Sequence, residues 1–254
     1  MGNNSKSKLY VVFALLGVVL LFVTFYSPMW SVALQSIQYP KAMYPEGIKI
    51  YFKYDGVYNG CEGVREREEL AQDVGANCLL EMNKINHFIG MYPIVQGVND
   101  INEIGEHVPY PVYAAEKMTE EEIPVALKRL DFIMRNSFYM FLIFAILILI
   151  FAFTKKKTLA WAAIIPSLIP FYFLAVYTYY LYWYGHNLGL HGGGAFGGIK
   201  PFMPTVFGEG KVAQFTTKSY PAYGFFLALL TFVVLLFAVL LKRKALSESN
   251  KTSE

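Results

Sequence analysis

Residues that suit a soft metal are the chemical groups that stand out in this sequence. His87 and Met91 are four residues apart, which on a helix places an imidazole and a thioether on one face. Histidine nitrogen together with methionine sulfur suits copper, especially Cu(I), better than zinc or magnesium. The same spacing also occurs where a core methionine lies beside a hydrogen-bonded histidine, so this candidate site has a structural alternative.

A second set of candidate ligands lies in a glycine-rich stretch. His186 and His191 are separated by four residues, glycines follow at 192–194, and Met203 lies in the sequence Lys-Pro-Phe-Met-Pro. Glycine lets the backbone approach another group closely, so this stretch could wrap a metal ion or cap one held by the first set. Alternatively, His186 is an interfacial residue beside an aromatic belt formed by Tyr177, Tyr179, Tyr180, Tyr182, Trp183 and Tyr184.

The two cysteines, Cys61 and Cys78, fall in the same polar region as His87. Outside the cytoplasm such a pair is most often a structural disulfide, here closing a loop of about seventeen residues and stabilising the fold by roughly 3 kcal/mol. A thiolate metal site or a redox pair is the alternative. The spacing fits neither a C-x-x-C redox motif nor a compact zinc pair, so we expect the disulfide.

Several classes of function find no motif in the sequence. A nucleophile elbow, a haem-attachment C-x-x-C-H and a phosphate-binding Gly-Lys-Ser/Thr are absent, and the glutamates at 66, 68, 69 and 120–122 fit solvated helix faces. The net charge of +3 comes largely from short lysine and arginine clusters, which gives no reason to expect a nucleic-acid partner. We therefore expect neither an enzyme nor a nucleotide-binding protein.

The elements that must carry these residues are membrane helices. With 55% hydrophobic and only 16% charged residues, the chain is too apolar for an ordinary soluble domain. Four uncharged runs approach the roughly 20 residues that a helix needs to cross a bilayer. Basic clusters at 6–8, 155–157 and 242–244 all fall on one side if four helices alternate, which makes that side cytoplasmic.

The sequence thus predicts an α-helical polytopic membrane protein with four transmembrane helices and a small α+β extracytoplasmic domain between helices 1 and 2. Its lipid partner is the bacterial inner membrane, with both termini cytoplasmic and the main domain periplasmic. The predicted segments are a cytoplasmic N-terminus (1–8), helix 1 (9–34), the extracytoplasmic domain (35–134), helix 2 (135–154), a cytoplasmic loop (155–158), helix 3 (159–184), an extracytoplasmic Gly/His loop (185–219), helix 4 (220–241) and a cytoplasmic tail (242–254).

Two details refine this layout. Residues 48–54 alternate apolar and polar side chains, which predicts a strand, and Asp55-Gly56 then predicts a turn. A helix is expected to begin near Thr119, or just after Pro124, and to run directly into the second span. The first run could alternatively be a signal peptide, but Ser27-Pro28-Met29-Trp30 is no small-residue cleavage site, so we expect an uncleaved anchor.

Three stretches of the chain resemble a known group of proteins. They are Asn83-Lys84-Ile85-Asn86-His87-Phe88-Ile89-Gly90-Met91 with Pro93-Ile94, then Tyr184-Gly185-His186-Asn187-Leu188, and Lys200-Pro201-Phe202-Met203-Pro204 through Ala213-Gln214-Phe215-Thr216-Thr217. Together they are similar to a poorly characterised bacterial family of four-span inner-membrane proteins that is associated with gene clusters for nitrous oxide reductase and for copper-enzyme accessory proteins. Gly189-Leu190 replaces the Asp-Pro expected before the histidine of that family, so a carboxylate ligand is missing there.

The resemblance implies an accessory or maturation role for an exported copper enzyme. Our first hypothesis is that the chain handles or delivers copper, as Cu(I), through His87, Met91, His186, His191 and Met203, for a periplasmic or membrane protein partner. The second is a non-catalytic structural or docking subunit of a membrane redox complex, in which the same residues form a protein interface. Cu(I) binding under reducing conditions separates the two hypotheses.

Overall fold

The computed structural model describes residues 9–37, 41, 44–60, 96–97, 124–154, 161–187, 200–212 and 215–251. Two compact units divide the chain. The helical unit comprises Met1–Met29, Ser137–Ala175 and Ala222–Glu254, and the sheet unit comprises Trp30–Asn136 and Val176–Pro221.

Helices and strands alternate along the chain in blocks. In order, the described elements are α1 (Leu9–Tyr26), β1 (Trp30–Gln35), β2 (Ile48–Phe52), β3 (Val57–Asn59), β4 (Gln96–Gly97), α2 (Val125–Phe153), α3 (Ile164–Ser167), α4 (Ile169–His186), β5 (Gly208–Val212), β6 (Phe215–Pro221) and α5 (Tyr223–Lys251).

Within the described residues, three helices are long and apolar enough to cross a membrane. They are Leu9–Tyr26, Val125–Phe153 and Tyr223–Glu248, the last of these being most of α5. A run of about 18 or more apolar residues in a helix has the length that a bilayer core requires. The architecture is therefore that of a helical membrane protein with a small, mainly antiparallel sheet.

The first helix is shorter than the predicted span 9–34. It ends at Tyr26, where the Ser27 amide bonds to the Thr24 carbonyl at 3.1 Å and the Ser27 hydroxyl bonds to the Val23 carbonyl at 2.7 Å. Pro28 disfavours helical backbone at the residue before it and cannot donate a helical hydrogen bond itself. The apolar residues that follow form strand β1 instead of a further helical turn.

The second helix is continuous from the sheet unit into the helical unit, as the sequence predicted. It begins at Val125, directly after Pro124, whose carbonyl accepts from the amides of Leu127 and Lys128. Proline is favoured at such a start because its fixed φ suits the first turn and its missing N–H costs no intrahelical bond there. Pro124 therefore precedes the described helix, and Thr119 lies outside the described residues.

The predicted third span, 159–184, is divided in the structure. Its described part consists of α3 and α4, and neither is among the three candidate spans. Pro166 and Pro170 are the physical reason for the division, because each lacks the amide hydrogen that would continue an α-helical ladder. α4 itself carries six tyrosines.

One six-stranded sheet occurs among the described residues, in the order β4-β3-β2-β1-β6-β5. All neighbours are antiparallel except β3 and β4. The strand predicted at 48–54 is confirmed over Ile48–Phe52 as β2, and Asp55 and Gly56 lie between β2 and β3. The hairpin β5–β6 corrects the prediction of a loop over 185–219, and it pairs with β1 from Trp30↔Pro221 to Gln35↔Thr216.

The inner face of this sheet carries the core of the sheet unit. Leu34, Ile48 and Ile50 alternate with outward residues along β1 and β2, and all three are buried. They pack in one cluster with Leu127 and Leu130 from the start of α2, and with Tyr180 from α4. The residues that alternate along the strands and the two leucines at helical spacing therefore pack in one core.

Small residues line the contact between α1 and α5 in the helical unit. Ala14 and Gly17 are buried on α1, and a side chain at position 17 would collide with Leu235. The buried residues of α5 form one helical stripe, at Gly224, Ala228, Thr231, Val234, Leu235, Ala238, Val239 and Lys242.

The last helix also corrects the predicted boundary at residue 241. α5 continues without a break to Lys251, and Lys242 is fully buried in it. The Lys242 ammonium donates a hydrogen bond to the Phe151 carbonyl and lies 4.4 Å from the centre of the Phe151 ring. Lys242, the first basic residue of the predicted tail, therefore joins α5 to the end of α2.

Candidate metal-binding site

Two of the five candidate copper ligands lie in the described residues. His186 is the last residue of α4, and Met203 lies in the segment that leads to β5. His87, Met91 and His191 lie outside the described residues, as do Cys61 and Cys78 of the expected disulfide. The geometry of the site is therefore built on His186 and Met203.

A backbone contact at Gly185 brings the segments of these two ligands together. The amide of Phe202 donates to the carbonyl of Gly185 at 3.1 Å. A side chain at position 185 would collide with the carbonyl of Phe202 and would lie 2.6 Å from Cδ of Pro204. Glycine is needed here because the two backbones touch, so residues 201–204 pass directly beside the residue that precedes His186.

The imidazole of His186 is held by its own helix. Its Nδ1 lies 2.8 Å from the Tyr182 carbonyl, and its ring stacks on the Tyr182 ring with centroids 3.9 Å apart and an interplanar angle of 29°. A carbonyl oxygen can only accept, so this bond places the proton on Nδ1. In the neutral ring Nε2 then carries the lone pair, which is the arrangement found in histidines that ligate metals through Nε2.

Met203 presents its thioether at the surface of the described structure. Its side chain is 45% exposed, and Pro201 and Pro204 flank it. Proline fixes φ near −65°, so the short segment is stiff around the methionine. An exposed thioether on a stiff segment is available to a soft metal without the unfolding of a core.

The donor set of these two residues fits Cu(I) in kind and is incomplete in number. One imidazole nitrogen and one thioether sulfur are donors that a soft monovalent copper ion prefers. Among the residues that the structure describes, no group of three or more histidine, cysteine, aspartate or glutamate side chains could hold a metal ion. An imidazole nitrogen and a thioether sulfur are therefore the two donor types that the described part of the candidate site offers.

A buried polar network fixes the segment that carries Met203 to the sheet. The Ser219 hydroxyl, fully buried on β6, accepts from Trp30 Nε1 at 2.8 Å and donates to the Val206 carbonyl at 2.7 Å. The Tyr177 hydroxyl lies 3.3 Å from the same oxygen, and the Trp30 and Tyr177 rings are 5.4 Å apart. One serine thus joins β1, β6, α4 and the segment before β5.

Sequence reasoning missed this network. The uncharged run around Trp30 indicated a continued helix, and residue 219 was placed at the end of a loop. The one signal in the sequence is a tryptophan next to a helix-ending Ser-Pro pair, since a buried indole usually finds an acceptor for its N–H.

The aromatic residues of α4 divide between core and surface. Tyr177 and Tyr180 are buried, and the Tyr180 hydroxyl donates to the Ala126 carbonyl at 2.8 Å. Tyr179 and Tyr182 are more than half exposed. The belt suggested for all six aromatics is therefore wrong for Tyr177 and Tyr180, which support the core from which His186 projects.

Comparisons with known proteins leave the family of this chain open. No family model matches the chain, and no curated protein matches it either.

Proposed function

We propose that this chain is a membrane-anchored accessory protein that binds Cu(I) and delivers it to an exported copper enzyme such as nitrous oxide reductase. The chain itself performs no catalysis in this proposal. The family resemblance suggests the copper enzyme as the recipient, and the donor chemistry of His186 and Met203 supports copper as the cargo.

The contact between Gly185 and Phe202 carries the proposal. It holds the backbone beside His186 against the segment of Met203, at a hydrogen-bond distance of 3.1 Å. The bond from Nδ1 to the Tyr182 carbonyl leaves Nε2 of His186 as the metal-binding atom. One nitrogen donor and one sulfur donor are thus presented on two neighbouring, fixed pieces of backbone.

Exposure of both donors favours transfer over permanent storage. The His186 side chain and the Met203 side chain both reach the surface of the described structure. A partner that supplies its own soft ligands can then approach the ion and replace them one at a time, without opening a buried cage. In the proposal, His87, Met91 and His191 complete the coordination before transfer.

The proposed topology puts this chemistry outside the cytoplasm. Four spans with both termini cytoplasmic, anchored in the bacterial inner membrane, leave the sheet unit and the candidate ligands in the periplasm. Basic clusters at both chain ends support this orientation through the excess of lysine and arginine in cytoplasmic segments.

Cu(I) affinity of the purified chain tests the proposal. A chromophoric Cu(I) chelator competes with the protein in detergent under reducing conditions, and the amount of chelator complex gives the dissociation constant. We expect His186→Ala and Met203→Leu each to weaken Cu(I) binding by about tenfold or more, since each removes one donor atom. Met203→Leu keeps the apolar volume of an exposed residue, so its stability should match the wild type.

Matched controls separate ligand loss from misfolding. Tyr179→Phe changes an exposed aromatic residue on the same helix and should leave the Cu(I) affinity unchanged. A variant with His87, Met91, His186 and His191 all replaced by alanine should bind Cu(I) no better than a detergent blank. If the wild type binds no more tightly than that variant, copper handling is wrong and the docking-subunit hypothesis takes its place.

A further inference from the structure

A row of aromatic side chains crosses the outer face of the sheet, one residue in from its end at Trp30. Cross-strand pairing aligns Tyr58 with Tyr51, Tyr51 with Ser31, and Ser31 with Tyr220. Phe207 precedes Gly208, which pairs with Ser219, and its ring meets the Tyr220 ring edge-on at 5.6 Å. We call Tyr58, Tyr51, Tyr220 and Phe207 the aromatic row.

The next outward-facing row of the same sheet is charged. It consists of Lys49, Ala33, Lys218 and Glu209, which are paired in register across β2, β1, β6 and β5. Lys49 forms an ion pair with Glu46, and Lys218 forms one with Glu209 at 3.1 Å. One strand step of two residues thus separates an aromatic band from a hydrated, charged band.

Chain length limits how far the aromatic row can lie from the candidate spans. Tyr220 is three residues before Tyr223, the first residue of α5, and Ser31 is five residues after Tyr26, the last residue of α1. An extended chain covers about 3.3 to 3.6 Å per residue, so these separations are at most about 11 Å and about 18 Å. These bounds follow from the number of residues and hold for any path of the backbone.

Exposure of the row is highest next to the hairpin. Phe207 is 67% exposed and Tyr220 is 41% exposed. Tyrosine and other amphipathic aromatics are enriched at the headgroup level of bilayers, where one end of the side chain meets apolar and the other meets wet surroundings. The position, composition and exposure of the row match that layer.

We propose that the aromatic row rests in the headgroup layer of the bilayer that this chain spans, with Phe207 inserted furthest. The sheet is then held to the lipid surface along one row and remains hydrated from the charged row outwards. This interaction is independent of copper binding and concerns the opposite face of the sheet from the buried core.

Site-specific photo-crosslinking tests this contact. A benzoylphenylalanine residue replaces Phe207 in the full-length protein, which is reconstituted in nanodiscs of phosphatidylcholine and phosphatidylglycerol and irradiated. Intact-protein mass spectrometry then measures the yield of lipid adducts. The matched control carries the same residue at Lys211, which is exposed on the same face of β5 and four residues further from the aromatic row. We expect at least fivefold more lipid adduct at position 207 than at position 211.

Each other outcome overturns the proposal. Equal lipid adducts at both positions would mean that contact with lipid is non-specific, and an adduct between two protein chains at position 207 would identify the row as a protein interface. Absence of any adduct at 207 would place the row in water. Benzoylphenylalanine in place of Tyr220 tests the same row a second time and should also give mainly lipid adducts.

Discussion

The helical unit and the sheet unit differ in the property of the side chains that determines their packing contacts. Helix α1 is apolar on every side, so its sequence does not mark an inner face, and the contact with α5 forms where Ala14 and Gly17 let the backbones approach. Strand β2 buries Ile48 and Ile50 and turns Lys49 outward, so the alternation of apolar and polar residues in its sequence marks its inner face. Hydrophobicity therefore selects contacts in the sheet unit, whereas side-chain size selects them in the helical unit.

Polar groups show the same contrast. In the helical unit the Thr231 hydroxyl bonds to the Leu227 carbonyl of its own helix at 2.8 Å, which adds no tertiary contact. In the sheet unit the Ser219 hydroxyl bonds to Trp30 and to Val206, each from a different segment. Buried hydrogen bonds thus specify the tertiary arrangement of the sheet unit and mostly satisfy local backbone in the helical unit.

The largest effect is expected from a side chain at Gly17. In Gly17→Leu the new side chain would collide with Leu235, and the helices must separate, at a cost of about 3 kcal/mol. Thermal unfolding in detergent should therefore begin at a lower temperature than in the wild type. Val19→Leu, on the exposed face of the same helix, is the control and should unfold with the wild type. If both variants unfolded at the same temperature, side-chain size would not select the contact between α1 and α5.

An intermediate effect is expected from Ser219→Ala. This change removes the acceptor of the Trp30 indole N–H and the donor to the Val206 carbonyl, at a cost of about 2 kcal/mol for buried polar groups. Denaturant unfolding followed by tryptophan fluorescence measures the change in free energy of unfolding. Ser31→Ala is the matched control, because the Ser31 hydroxyl is exposed and its contact with the Tyr220 carbonyl is 3.4 Å long. A loss as large for Ser31→Ala as for Ser219→Ala would contradict the role given to the network.

The smallest effect concerns Tyr58 on strand β3 of the sheet unit. Burial, and then the neighbouring Asp55 carboxylate, raise the pKa of the Tyr58 hydroxyl, which donates to Asp55 at 2.9 Å. Since the folded pKa lies above the unfolded value of about 10, this stabilisation is present below pH 10 and is lost as the pH rises above it. Comparing the unfolding of wild type and Tyr58→Phe from pH 8 to pH 11 should show a difference at pH 8 that shrinks at pH 11. If the difference in stability between wild type and Tyr58→Phe stayed constant with pH, this effect of the Tyr58 pKa on stability would be contradicted.

Sequence patterns predicted those parts of the fold in which one property dominates. Long apolar runs gave α1, α2 and α5, and the alternation at 48–54 gave β2, because burial requires those patterns. The run that begins at Trp30 was wrongly predicted to continue the first helix, because a short uncharged apolar stretch fits a helix and a strand equally well. The hairpin β5–β6 was hidden because its inward residues include Thr217 and Ser219, which are satisfied by hydrogen bonds and leave no apolar alternation.

The candidate site was predictable in its residue types and not in its geometry. His186 and Met203 were chosen for their donor atoms, and glycine density pointed to a close approach of backbone. The contact partner of Gly185 and the carbonyl that orients His186 depend on where α4 ends and where residues 201–204 pass. The first is a tertiary contact that no local pattern encodes, whereas the second is a contact four residues back along the same helix.

The pairing of β1 with β6 sets the order in which the sheet can be made. β1 leaves the ribosome well before β6, because Trp30 and Ser219 are separated by 189 positions. β1 can pair early with β2, but its other edge waits until β6 has been synthesised. During that interval an open strand edge attracts unrelated strands or a chaperone. A chain truncated before β6 would therefore keep that edge of β1 exposed to proteolysis.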